Sequence, residues 1–251
     1  MTHIYKKQDL SKILFVDIET VGSVKKYGHL SEKGRRLWDE RADFIRMRTS
    51  SMSHIPNKEL FLLKSGIYPE FAKIICMSVA YFKNIGGNSV TVKVKSFKAN
   101  QESQLINDFF SLISELFDHR GFKFICGHNI REFDLPFICR RALANAIPLP
   151  EVLNFAGLKP WQIKTLIDTM DLWKFGDFKN MASLDLLCYT FGIPSPKDSL
   201  DGKAVHLKYW FGNALEEITR YCEQDVCATA QLFCRLISLN TNAEFLTIKA
   251  V

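Results

Sequence analysis

What this chain of 251 residues lacks narrows it first. No apolar run reaches the roughly 18 to 20 residues that a bilayer-spanning helix needs. The opening MTHIYKKQDLSK has no apolar stretch of the kind a secretory leader carries. The expectation is a soluble, cytoplasmic protein with no membrane partner. Two cysteines never stand at CxxC spacing, and the seven present, at positions 76, 126, 139, 188, 222, 227 and 234, lie mostly inside apolar segments. An odd set of thiols in such places reads as reduced and buried, which indicates neither a disulfide framework nor a zinc site. No internal repeat and no linker rich in Gly or Ser divides the chain, so one domain over residues 1–251 is expected.

What is there is bulk for a core. Hydrophobic residues make up 47% and aromatic residues 12%, and most of the twenty Phe should be core. The net charge of +6 suits a polyanionic partner, a weak indication by itself. Lys12 to Asp17, Lys73 to Lys83, Ser89 to Phe97, Phe122 to Cys126 and Ile163 to Asp168 read as strands, the second and third joined by the Gly-rich turn NIGGN. Gln101 to Phe117 has Leu105, Phe109, Leu112, Ile113 and Leu116 at helical spacing; Phe133 to Asn145, Met181 to Phe191 and Leu215 to Ser238 are further helices. An antiparallel start followed by alternating helices predicts an α/β fold, a mixed sheet with helices on both faces. Tyr27 to Leu63 is charge-dense around Trp38 and Phe44, and reads as a solvated helical insertion. A flap holding a single strand over the site is the functional alternative.

Carboxylates then fall where apolar segments end. Ile13 to Val16 is a continuous apolar tetrad, after which Asp17 and Glu19 share one side of the strand if the period of two persists. Asp134 follows in GHNIREFDLP, and Tyr221 and Asp225, four apart in YCEQDV, share a helix face. Taken singly, each piece has a plain alternative: an Asx-turn for the first, a capped helix start with Asn129 as cap and Asp134 on the surface for the second, an amphipathic helix with Tyr221 in the core for the third. Together they describe one pocket of like charges, which would raise one another's pKa unless a cation neutralised them. Oxygen ligands alone favour Mg²⁺ or Mn²⁺ over zinc. Of the six His only His128 lies near a motif, in a structural or substrate-side role.

On these residues the chain resembles the 3′-5′ exonucleases of the DEDD superfamily. FVDIET is similar to their first motif, GHNIREFDLPFI to the second and YCEQDVCATAQLF to the third. One branch carries His five residues before the last Asp; Arg220 stands there, and Tyr221 places the chain in the tyrosine branch, DEDDy. The wording is most similar to the proofreading domains of family B DNA polymerases and to stand-alone bacterial exonucleases predicted from them. SGIYPEFAKIICMSVAYF and SLDLLCYTFGIPSPKDSLDGKAV extend the resemblance over about Lys12 to Leu236, with Tyr27 to Leu63 unmatched.

The resemblance implies a ribonuclease H-like, mixed five-stranded sheet and hydrolysis of single-stranded DNA, or unpaired 3′ ends, with two divalent cations. Asp17 would bridge both ions, Glu19 and Asp225 complete one site, and Asp134 act on the other. Tyr221 would orient the attacking water; the backbone N–H of Thr20, and Asn129, would contact the terminal nucleotide. RNA as substrate and an idle nucleic-acid-binding module stay open, although all four carboxylates and the tyrosine are present. Trp161 and Asp168 to Trp173 read more readily as core than as substrate groove.

Overall fold

The computed structural model describes residues 10–86, 89–177, 179–195, 204–237 and 246–250. The tip of the expected NIGGN turn, the opening nine residues, residues 196–203 of the GIPSPKDSLDGKAV stretch and the expected helix end at Ser238 lie outside them.

Strand β1 (Ile13–Gly22) takes its place because its side chains are apolar in both directions. Leu14, Val16 and Ile18 enter one core cluster, and Ile13 and Phe15 enter another. Such a strand must be covered on both sides. It pairs antiparallel with β2 (Ala72–Gly86) and parallel with β4 (Phe124–Gly127); β3 (Ser89–Lys98) and β5 (Leu166–Asp168) flank these. The sheet runs β5-β4-β1-β2-β3-β6, so five expected strands are joined by a sixth, β6 (Leu246–Ala250), parallel to β3. The expected β1 ended at Asp17. Pairing with β2 carries it on to Gly22, beyond the polar residues that marked an end in the sequence.

Of the insertion's two helices, α1 is Glu32–Arg48 and α2 is Asn57–Lys64. The segment is helical and mostly open to solvent, but it also carries buried residues that the charge density did not suggest. Trp38, Ala42 and Ile45, at i, i+4 and i+7, pack with Leu60 and Phe61 into a small core of their own. The Trp38 ring meets Phe61 and Phe71 edge-on, each at 5.1 Å, and its indole N–H donates to the Asn57 carbonyl at 3.0 Å.

Helix α3 (Glu102–Ser114), followed by a π-helical turn at Glu115–His119, and α4 (Asp134–Ala144) cover the face that receives Leu14, Val16 and Ile18. After the short α5 (Thr169–Lys174) come α6 (Leu184–Phe191), α7 (Val205–Gly212) and α8 (Leu215–Leu236). Helix α8 lays Val226, Cys227, Ala230, Phe233 and Cys234 against Ile13, Phe15, Ala80 and Phe82 on the other face. Helix α6 begins three residues later than its expected start because Ser183 caps it, its hydroxyl accepting from the Leu186 N–H. No helix among the described residues is long and apolar enough to cross a membrane.

Candidate active site

The alternation of β1 decides where its acids go. Asp17 and Glu19 have the parity of Phe15 and therefore rise on the face covered by α8, while Ile18 between them points into the opposite core. Helix α8 brings Tyr221 and Asp225 to the same place. Carboxylate oxygens of Asp17, Glu19 and Asp225 all lie within 4.8 Å of one another. Asp134, buried in the first turn of α4, stands beyond that trio and reaches it through the backbone: its Oδ1 accepts the Ile18 N–H at 3.2 Å.

The electrostatics follow from this crowding. Loss of solvent raises Asp17 well above the usual carboxylate range, and repulsion from Asp225, Asp134 and Glu19 adds to it. Glu19 is raised in the same way, again chiefly by burial. Asp134 is pushed up to about 7, mainly by burial, with the Ile18 amide opposing. Burial, then the Asp225 charge, holds the Tyr221 phenol above its ordinary value, and its hydroxyl hydrogen-bonds Asp225. These directions share one cause: negative charge gathered with too little solvent or countercharge.

A pocket of about 160 Å³ opens over these groups, lined by Asp17, His128, Ser183, Leu184, Asp185, Tyr221 and Asp225. Among the described residues no Lys or Arg lines it. His128 is held from both sides, Nδ1 at 2.9 Å from the Thr169 hydroxyl and Nε2 at 2.9 Å from the Ala182 carbonyl. Its pKa is lowered by burial, so the ring is neutral, with the Nε2 proton donated to Ala182.

Thr20 and Asn129 stand outside the lining. The Thr20 hydroxyl donates to the Gly66 carbonyl at 2.7 Å, and only its backbone is left for the expected contact. Asn129 has φ of 57°, a left-handed turn that Asn tolerates better than most residues. That turn is pinned by Asp168, whose Oδ1 accepts the N–H groups of Asn129 and Met170, each at 2.9 Å, and whose Oδ2 accepts that of Arg131 at 3.1 Å. Asp168 is buried, in keeping with the core reading, whereas Trp161 is 72% exposed with Lys159 over its ring, a correction to its expected burial.

Sequence reasoning gave no role to two groups near the acids, Asp168, read as core, and Cys222. Asp168 ends an apolar strand as Asp17 follows one, so the same signal marked it. Cys222 lies one residue past Tyr221 and carried no signal; its thiol donates to Oδ2 of Asp17 at 3.1 Å. All seven cysteines are free thiols.

Comparison with known proteins gives the fold and the family. The family B DNA polymerase from the hyperthermophilic archaeon Pyrobaculum calidifontis superposes on 89% of the chain with a TM-score of 0.55 at 16% identity. The chain spans 24% of that polymerase, and at this identity the likeness carries the fold alone, the ribonuclease H-like one. No curated protein matches the chain. A family model described as a predicted 3′-5′ exonuclease related to the exonuclease domain of PolB matches residues 67–248, which include Asp134, Tyr221 and Asp225 and leave Asp17 and Glu19 outside. The chain belongs to this family of predicted 3′-5′ exonucleases related to the exonuclease domain of PolB.

Proposed function

We propose that the protein is a metal-dependent 3′-5′ exonuclease acting on single-stranded DNA or unpaired 3′ ends and releasing nucleoside 5′-monophosphates. The observation that carries the reading is the convergence of Asp17, Glu19 and Asp225 within 4.8 Å, beside a phenol bonded to one of them. Three carboxylates with raised pKa values, joined by Asp225, and no cationic side chain among the described residues lining the pocket fit divalent ions well. An all-oxygen donor set favours Mg²⁺ or Mn²⁺. Asp17, Glu19 and Asp225 would hold one ion, with Asp17 shared by a second that Asp134 approaches. Bound divalent ions supply charge neutralisation at the phosphate and a lowered pKa for the attacking water.

The residues supply the rest. Tyr221 stays protonated at neutral pH, so it is a hydrogen-bond donor and not a base. Its one O–H donates to Asp225, and its oxygen is left to accept from a water and orient it toward the scissile phosphorus. The backbone N–H of Thr20, with Asn129, takes the terminal nucleotide. The 3′-to-5′ direction comes from the family and not from the carboxylates, whose geometry is indifferent to which end is cut.

The test is a time course on a single strand labelled at its 5′ end, as DNA and as RNA, with Mg²⁺ or Mn²⁺, beside Asp17→Ala. The expected result is a ladder shortening by one nucleotide at a time, faster on DNA and absent in the variant. Internal cuts, or activity surviving in Asp17→Ala, would overturn the reading. Faster loss of RNA would move the substrate to RNA with the site unchanged.

A further inference from the structure

A second concavity adjoins the pocket of carboxylates. It is a groove of about 660 Å³ lined by Asp185, Leu186, Cys188, Tyr189, Gly192, Ile193, Pro194 and Ser195, on α6 and the turn that follows it. Asp185 lines both the groove and the pocket, so the two share one wall. Its carboxylate accepts the Ser195 hydroxyl, which ties the turn back to the first turn of the helix. Two large side chains of this wall stand in solvent, Leu186 at 54% and Tyr189 at 84% exposure. A Tyr so exposed gains little for the fold, since the buried side of α6 is carried by Leu187 and Cys188. Among the described residues no cation lines the groove. Whatever it receives is held by an apolar or aromatic face and not by charge.

We infer that this groove receives the unpaired nucleotides immediately 5′ of the scissile bond, with the ring of Tyr189 as the stacking surface for a base. The inference rests on the exonuclease reading and extends it to the substrate's path. A single strand whose 3′ end lies among Asp17, Tyr221 and Asp225 has to leave the pocket. The terminal nucleotide belongs with Thr20 and Asn129, outside the pocket lining, and the groove is the apolar exit that shares a wall with it. Its volume is in the range of roughly 300–1,000 Å³ that takes small organic ligands, enough for a base with its sugar. Every base offers a π-face, so a Tyr platform grips any sequence, as an enzyme that removes successive nucleotides requires.

The experiment reads affinity and chemistry separately on the full chain. Binding of a 5′-fluorescein-labelled single strand of about ten nucleotides is followed by anisotropy in chelator, at low and at high salt. We expect Tyr189→Ala to weaken binding by about five- to a hundredfold. Tyr189→Phe should stay close to the unsubstituted protein. Because no charge is removed, the factor lost should be the same at both salt concentrations, unlike that of a phosphate contact. Hydrolysis of the p-nitrophenyl ester of thymidine 5′-monophosphate, which has no upstream nucleotide, should be unchanged in Tyr189→Ala. Unaltered strand binding, or an equal loss on the ester, would overturn the assignment; so would a change in oligomeric mass on substitution, which would make the groove a contact between copies. If the unsubstituted protein binds strands through Tyr189 yet cleaves neither substrate, the stacking surface stands and the exonuclease reading fails.

Discussion

Ile18 turns its side chain away from the acids on either side of it, yet its backbone N–H donates to Oδ1 of Asp134 at 3.2 Å. One amide thus fixes the start of α4 to the strand that carries Asp17 and Glu19. Asp134 has two jobs that substitution can part. Asp134→Asn keeps an oxygen for the Ile18 amide and loses the charge; Asp134→Ala loses both and leaves a buried N–H unpaired. We expect the Asn variant to melt within a few degrees of the parent and to lose activity by on the order of a hundredfold or more. The Ala variant should also lose about 1–3 kcal/mol of stability. Thermal melts beside nuclease rates check this, and an Asn variant with full activity would remove Asp134 from the site.

Tyr221 offers a sharper distinction. Its phenol is held above its ordinary pKa by burial and by Asp225, so it does not ionise in the range where the protein would work. Tyr221→Phe removes the hydroxyl and little else. The rate should fall by about ten- to a thousandfold, the scale of one positioned hydrogen-bonding group, while Mg²⁺ binding measured by calorimetry is retained. The pH profile should keep its shape. A lost alkaline limb would make the phenol an acid or base after all.

The acids of this site were legible because each breaks a local rule: a carboxylate after a buried apolar run, or on a helix face shared with an aromatic. The period of two put Asp17 and Glu19 on one side of the strand, but Ile13 to Val16, apolar in both directions, could not say which face that is. Strand ends were less legible, since Asp17, Glu19 and Thr20 look like a turn until β2 is present to pair with them. In α1, six basic and four acidic residues surround the stripe of Trp38, Ala42 and Ile45, and charge density hid a core that needs only three positions. Trp161 failed in the opposite sense, a large ring with no burial to match its composition. Cys222 was invisible because a thiol that supports Asp17 and one that fills space have the same sequence signature.

Metal and proton should compete openly. Asp17, Glu19 and Asp134 all have folded-state pKa values raised above their unfolded ones, Asp134 to about 7. For such groups the folded state binds protons more tightly than the unfolded one. Their contribution is therefore fully present below the ordinary carboxylate range and is lost as pH rises through the raised values, for Asp134 through about 7. Buried His128 and His206 are lowered and work in the opposite sense, so the melting temperature in chelator alone is a mixed quantity. The difference between Mg²⁺-saturated and chelated protein cancels His206, which lies outside the pocket lining, and reads the acids together with the neighbouring His128. That difference should be small at pH 5.5 and widen toward pH 8, because the ions displace protons from these ligands. A pH-independent difference would place the cation elsewhere.

Arg141 and Glu102 hold together the face away from the acids. The guanidinium meets the carboxylate at 2.6 Å with only 16% and 8% of the side chains exposed, and donates to the Pro69 carbonyl at 2.8 Å. Glu102 also accepts the Ile74 N–H at 2.8 Å, so one carboxylate joins α3, α4 and the start of β2. Breaking such a pair costs more than the pair contributes, because the partner left behind is a desolvated charge. Arg141→Met should therefore destabilise by about 3–5 kcal/mol, visible as a lower denaturant midpoint. The double variant with Glu102→Gln should recover part of the loss, since a neutral amide can still accept from Ile74 without a countercharge. A double variant no more stable than Arg141→Met alone would mean that the guanidinium acts through its packing and its bond to Pro69, and not through the charge of Glu102.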